Sequence, residues 1–372
     1  MKQASNEWNK EIDRTIQSFG FNQCKSDNCV CWKRSGTDEL IILALFVDDI
    51  VIIHSANDNN EWKQLKAKFM AKYKMTDNKN AQFILGMKLE RASDSLTITQ
   101  ELQINKVLKQ FNMEDCKMKS TPSEVLKLTA ADCPTTEQDK SAMQSVPYMS
   151  MVGSMMYISL CNRPDIAYCA NSVSRFSQNP GERHWIACKR ILRYLKGTAT
   201  LGLKYYKNQP TDRIELAGYC DADWAGDVDD RKSTTGFVIR INECTVHWGS
   251  KKQSTVALSS AEAEYMGICT AATELKWFRN LLNELNLVTD EIPILYCGNQ
   301  SAIAISENDK LHNRTKHIDI RHHFVREMVK TKQIKLKWIE SGKQLADILT
   351  KNLSVKQFKE LRVKLMNDGG II

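Results

Sequence analysis

Several acidic side chains fall in close pairs where chemistry could use them. Asp48 and Asp49 are adjacent inside an apolar run from Ile41 to Ile53. Burying carboxylates among Ile, Leu and Val is costly unless something offsets their charge. Divalent ions do this, and Mg²⁺ favours a few carboxylates together with phosphate oxygens. Two such ions about 4 Å apart can drive in-line phosphoryl transfer. An acid pair that merely forms a polar hairpin turn needs no metal, and the pair alone leaves both readings open. Further acids follow at Asp221 and Asp223, at Glu262 and Glu264, and at Asp347.

Each acid needs an element to hold it. Glu39 to Ile53 holds two runs rich in branched residues around Asp48 and Asp49, and predicts a buried β-hairpin with the acids at its tip. Trp8, Ile12, Ile16 and Phe19 recur every three or four residues, so residues 1–20 read as a helix. Glu61 to Tyr73 and Leu102 to Phe111 also read as helices. Phe83 to Leu89 and Ser95 to Thr99 read as two strands across a polar turn. Residues 116–145 are polar, contain Pro122 and Pro134, and read as a linker. Helical spacing returns at Tyr148–Leu160, Ile166–Phe176 and His184–Leu195, with Gly197 as a C-cap. Beyond Leu201 the pattern changes to four short strands at 201–206, 214–219, 236–241 and 244–248. A helix from Ser260, a strand at 293–297, short helices from Ser301 and Ile318, a strand at 334–339 and a last helix follow. Asp221 then ends a strand, Glu262 and Glu264 open a helix, and Asp347 lies near the last helix. The fold class is α/β, with a mixed sheet in the later part.

Bulk properties set limits. With 372 residues, two or three domains are expected. A hydrophobic share of 42% and a charged share of 26% are those of an ordinary folded protein. The net charge of +8 is compatible with a polyanionic partner, and equally with an ordinary basic protein. Twelve cysteines spread from Cys24 to Cys297, with no secretory signal, imply reduced thiols. An intracellular location is expected, with cytoplasm and nucleus both open. No apolar run approaches the roughly 18 residues of a membrane span. Cys24, Cys29 and Cys31 lack a nearby histidine to complete a zinc knuckle and read as structural or incidental. His312, His317, His322 and His323 share a basic stretch with Arg314, Lys316 and Arg321. They could contact substrate or assist proton transfer, though a polar helix start is the simpler reading for His322 and His323.

The motifs resemble those of copia-type retrotransposon Pol polyproteins across nearly the whole chain. Phe46-Val47-Asp48-Asp49 resembles the [YF]-V-D-D box of reverse transcriptases. Lys2-Gln3-Ala4 resembles the end of the family's G-L-K-Q-A segment, and Phe83-Ile84-Leu85-Gly86-Met87 its F-L-G-M strand. Tyr157, Arg163 to Tyr168 and Arg190 to Thr198 resemble the segment that links reverse transcriptase to RNase H. There Lys189, Arg190, Arg193 and Lys196 could face a nucleic-acid backbone or form a solvated helix face. Gly218 to Asp227, Ser259 to Tyr265 and Ala346 to Lys351 resemble the D-A-D-W-A-G, E-A-E-Y and A-D-[IL]-L-T-K motifs of copia-type RNase H. Arg231 to Gly236, Trp248 to Gln253 and Arg314 to Asp319 match further motifs.

This resemblance implies a reverse transcriptase palm and thumb remnant over 1–115, connection helices over 116–200 and an RNase H-like domain over 201–372. It implies Mg²⁺ or Mn²⁺ held by Asp48 and Asp49 in one part. In the other it implies metal ligands at Asp221, Glu264 and Asp347, with Glu262 and Asp223 as runners-up. The implied partners are a template–primer, an RNA–DNA hybrid and upstream protease and integrase portions. Two departures matter. The family's third polymerase aspartate lies upstream of this sequence, so polymerase activity from this chain alone is not expected. The family's C-D-N-Q-S-A motif reads Cys297-Gly298-Asn299-Gln300-Ser301-Ala302 here. Glycine offers no side-chain ligand, so a weakened or dead nuclease is expected. A non-catalytic nucleic-acid-binding remnant and a decayed transposon copy are the alternatives.

Overall fold

The computed structural model describes residues 2–55, 59–124, 127–207, 214–287, 291–307 and 319–368, of which 2–5, 59 and 319–322 are described by backbone alone. By contact the chain forms two compact units, Met1–Asn80 with Trp277–Thr289, and Ala81–Lys276 with Asp290–Ile372. This division does not follow the three parts expected at 115 and 200. The reason lies in strand pairing. Strands β5 (Phe83–Ile84), β6 (Met87–Arg91) and β7 (Ser95–Thr99) form a sheet with β8 (Gly202–Tyr206), across the intervening helices.

In the first unit, helix α1 (Lys2–Ser18) buries Ile12 and Ile16, as their spacing predicts. They pack with Phe21, Cys31, Ile41, Leu43, Leu45, Leu65 and Phe69. The last two lie on α2 (Asn59–Lys72). The antiparallel sheet runs β1 (Asn22–Gln23), β2 (Val30–Arg34), β3 (Leu40–Phe46) and β4 (Asp49–Ile53) in chain order. β3 alternates buried and half-buried positions, the pattern of a sheet with one covered face.

The second unit has a helical core. It is built from α3 (Glu101–Gln110), α5 (Tyr148–Cys161), α6 (Ala167–Ser174), α7 (Glu182–Gly197) and the closing helix α11 (Val355–Met366). The polar stretch expected to be a linker holds a 3-10 turn, Ala130–Asp132, and α4 (Glu137–Gln144), which Thr136 caps by accepting from the Asp139 amide. Helix α7 runs through Gly197, and Thr198 is its C-cap. The stretch Phe83 to Leu89 is a hairpin rather than one strand. Leu85 and Gly86 both take positive φ between the paired residues Ile84 and Met87, which is the requirement of a tight two-residue turn. The Tyr157 hydroxyl donates to the Leu85 carbonyl at 2.7 Å.

The same unit carries a five-stranded mixed sheet. Its order is β11 (Cys244–Lys252), β10 (Thr234–Ile241), β9 (Leu216–Ala222), β12 (Ile294–Cys297), β13 (Lys335–Trp338). The first three are antiparallel, while β12 runs parallel to β9 and β13 to β12. Parallel neighbours need crossovers, supplied by α8 (Ser260–Glu284) before β12, and by α9 (Gln300–Glu307) and α10 (Asp319–Lys330) before β13. A short 3-10 helix, Leu345–Leu349, lies against β10 and buries Leu345, Ile348 and Leu349. A Cβ at Gly236 on β10 would meet Leu349 Cβ at 2.8 Å and the Ala346 carbonyl at 2.9 Å. Only glycine permits that approach, and it sets the depth of Asp347.

Candidate active site

Asp48 and Asp49 lie where the hairpin was expected. Phe46 pairs with Asp49, leaving Val47 and Asp48 as a two-residue turn. Both acids are exposed, not buried, because the turn projects beyond the sheet's covered face. Val47 has φ of 57°, a strained value for a β-branched residue. The Trp8 indole N–H holds the turn by donating to the Val47 carbonyl at 2.7 Å.

Three of the later acids converge from separate elements. Asp221 closes β9, Glu264 lies in the first turns of α8, and Asp347 sits on the 3-10 helix. All three are buried. Lys351 Nζ lies 3.5 Å from Asp221 Oδ2 and 2.9 Å from Asp347 Oδ1. Thr350 donates its hydroxyl to Asp221. Burial, the nearby Cys297 and the Asp221 charge push Glu264 up to about 10. Burial and Asp221 push Asp347 up to about 7, although Lys351 works the other way. Crowded carboxylates with raised proton affinity form a set that favours an added cation. Cys220 and Cys297 are register partners on parallel strands, so Asp221 and Gly298, the next residue along each chain, lie side by side. A Cβ at Gly298 would meet nothing within 4 Å.

The runners-up point elsewhere. Asp223 accepts from the Thr234 amide and lies 3.9 Å from Lys127. Glu262 accepts from the Leu258 amide at 2.9 Å, in the manner of a helix N-terminal cap. Among the described residues, no group of three or more His, Cys, Asp or Glu is arranged to hold a metal ion. The carboxylate oxygens of the three acids are the donor type that a hard divalent cation takes, and the glycine at 298 adds no side-chain ligand to them. Thr350 and Lys351 were read only as motif letters. Their spacing of three and four residues after Asp347 was the available clue, since such neighbours share a helical face.

The basic residues on α7 turn inward on their own chain. Arg190 pairs with Glu124 at 2.7 Å, Arg193 Nε donates to the Lys117 carbonyl at 2.6 Å, and Lys196 donates to the Cys116 carbonyl at 2.9 Å. Lys189 lies 5.7 Å over the Trp185 ring. They clamp residues 116–124 to the helix, which argues against an open phosphate-binding face. His312, His317, Arg314 and Lys316 lie outside the described residues, as do the side chains of Arg321 and His322. His323 is exposed.

The family described as reverse transcriptase (RNA-dependent DNA polymerase) matches residues 1–125. A retrovirus-related Pol polyprotein from transposon TNT 1-94 of Nicotiana tabacum is 43% identical over 96% of this chain and 27% of its own length. The corresponding polyprotein from transposon RE2 of Arabidopsis thaliana is 32% identical over 98% of this chain and 24% of its own length. The chain thus spans about a quarter of these relatives. The solved structure of LC11-RNase H1 in complex with an RNA/DNA hybrid is 17% identical and covers 37% of this chain and 94% of that one. Its TM-score of 0.28 is too low to add to the sheet order described above. Among the described residues, no helix is long and apolar enough to cross a membrane. With a reverse transcriptase region over residues 1–125 and Pol relatives aligned along almost all of its length, the chain belongs to the copia-type retrotransposon Pol family.

Proposed function

We propose that the second unit carries an RNase H-type site for cleaving the RNA strand of RNA–DNA hybrids, and that Gly298 impairs it. The observation that carries this reading is the convergence of Asp221, Glu264 and Asp347 around Lys351. Asp221 and Asp347 would hold Mg²⁺ or Mn²⁺, with Glu264 completing the set. When bound, such ions supply positive charge to the scissile phosphate and to the attacking and leaving oxygens. Thr350 fixes the rotamer of Asp221 by its hydrogen bond. Burial, Cys297 and the Asp221 charge raise the proton affinity of Glu264, and a bound cation would lower it. An aspartate at 298 would emerge beside Asp221 in open space. Asp48 and Asp49 are the corresponding metal ligands of the reverse transcriptase region, facing a template–primer.

The test is cleavage of a labelled RNA–DNA hybrid in Mg²⁺ and in Mn²⁺. Gly298→Asp should raise the rate at least about a hundredfold, the effect of roughly 3 kcal/mol of transition-state stabilisation. Adding Asp221→Asn should abolish the gain. A natural chain that already cleaves as fast as Gly298→Asp would refute the impairment. The missing acid also favours a second reading, a non-catalytic nucleic-acid-binding remnant or a decayed copy. Hybrid binding without cleavage by either protein would select the binding remnant.

A further inference from the structure

The sheet face that presents Asp221 also borders an open cleft of about 720 Å³. Tyr219 and Tyr296 are register partners on β9 and β12. Their rings stack at 4.9 Å between centroids, with 22° between planes. Lys337, beside Tyr296 on β13, holds its ammonium 5.9 Å over that ring. Trp338 is 50% exposed, and its indole N–H donates to the Gly298 carbonyl at 3.2 Å. The cleft therefore opens next to the strand end that carries the candidate active site.

The cleft's charge is mainly positive. Lys343 is matched by Glu340 at 2.6 Å. That leaves Arg240, Lys337 and Lys364 against Glu243. Neither Lys337 nor Lys364 forms an ion pair among the described residues, and both are exposed. Arg240 donates one N–H to Asn367 at 2.9 Å, while its buried Nε has no hydrogen-bond partner among the described residues. An aromatic platform ringed by cations recognises bases by stacking and phosphates by charge. A duplex hides its base faces in its own stack, so unpaired bases are what such rings can accept.

We infer that this cleft binds single-stranded nucleic acid, with a base against the Tyr296–Trp338 side and phosphates near Lys337, Lys364 and Arg240. This goes beyond hybrid cleavage and requires no turnover at the acid cluster. The occupant would be an unpaired strand beside the candidate site, bound without strong sequence preference.

The test is fluorescence anisotropy of the full chain with a labelled twelve-nucleotide oligothymidylate. Lys337→Glu with Lys364→Glu changes two exposed side chains and should weaken binding about tenfold or more. Tyr296→Ala should weaken it about as much, while Lys88→Ala, on β6 and outside the cleft lining, should leave it unchanged. Photo-crosslinking of the unaltered chain to a 5-iodouracil strand should place adducts on Tyr296 or Trp338, independently of whether any variant folds. Unchanged binding by the double lysine variant, or crosslinks confined to other surfaces, would overturn the inference. Equal displacement of the strand by poly-glutamate would overturn it too, by assigning the cleft to acidic peptides. Failure of Gly298→Asp to cleave the hybrid, with strand binding intact, would count against the nuclease reading alone.

Discussion

Lys351 contributes one positive charge to both Asp221 and Asp347, at 3.5 and 2.9 Å. It thereby offsets part of the repulsion that a divalent ion would otherwise relieve. Its side chain is substantially exposed, so its value is modest, about 1 kcal/mol. Lys351→Ala should lower the metal-free melting midpoint by about 2–4 °C. Added Mg²⁺ should then raise that midpoint more in the variant than in the natural chain. Paired thermal melts with and without Mg²⁺ decide this, and equal Mg²⁺ responses would show that Lys351 is not coupled to cation binding. Gly298 belongs to the same scale. Its identity was plain in the sequence, but that an added side chain would find open space beside Asp221 was not.

At the level of elements, the segment Arg163-Pro164-Asp165 resembles part of a connection by its motif. It is the polar centre of the helical core. Arg163 and Asp165 are 0% and 1% exposed and form a two-pronged pair at 2.9 and 2.8 Å. Arg163 also donates to the Thr198 carbonyl at 2.9 Å, and Tyr194 donates to Asp165 at 2.5 Å. Burial opposes ionisation of Asp165, but the Arg163 charge and hydrogen bonds outweigh it and hold its carboxyl low. Removing one partner strands the other charge in the core. Asp165→Asn should therefore destabilise the chain by about 3–5 kcal/mol, read as a lower midpoint in urea. A loss below about 1 kcal/mol would mean that the network tolerates a neutral partner.

For the molecule as a whole, acid sensitivity follows from Asp227. It accepts from Arg175 at 3.0 Å and Lys252 at 2.6 Å, joining the end of α6 to the far end of β11. Burial pushes its carboxyl up, but the Lys252 hydrogen bond, the Asp229 and Asp230 amides and the Lys252 charge hold it at about 2, below the ordinary 3.8. A depressed folded value stabilises above the unfolded value and is lost as pH falls through the folded one. This contribution is thus complete near pH 4 and disappears towards pH 2. Asp227→Asn should flatten the stability profile across that window while lowering stability at neutral pH. Denaturation midpoints measured from pH 5 to pH 2 check it, and parallel profiles for both proteins would exclude Asp227 as the source.

Local pattern sufficed for much of this protein. The spacing of Ile12 and Ile16, the alternation through Leu40–Phe46 and the motifs around Asp221, Glu264 and Asp347 reported elements and family directly, because helix and strand periods are written in neighbouring residues. Pairings between distant residues were not written there. The union of β7 with β8, the turn of the α7 cations onto residues 116–124, the exposure of Asp48 and Asp49 and the placement of Lys351 all depend on which surfaces meet. A sequence period states which side of an element is apolar. What that side covers, and which charges it brings together, is set only when the chain closes on itself.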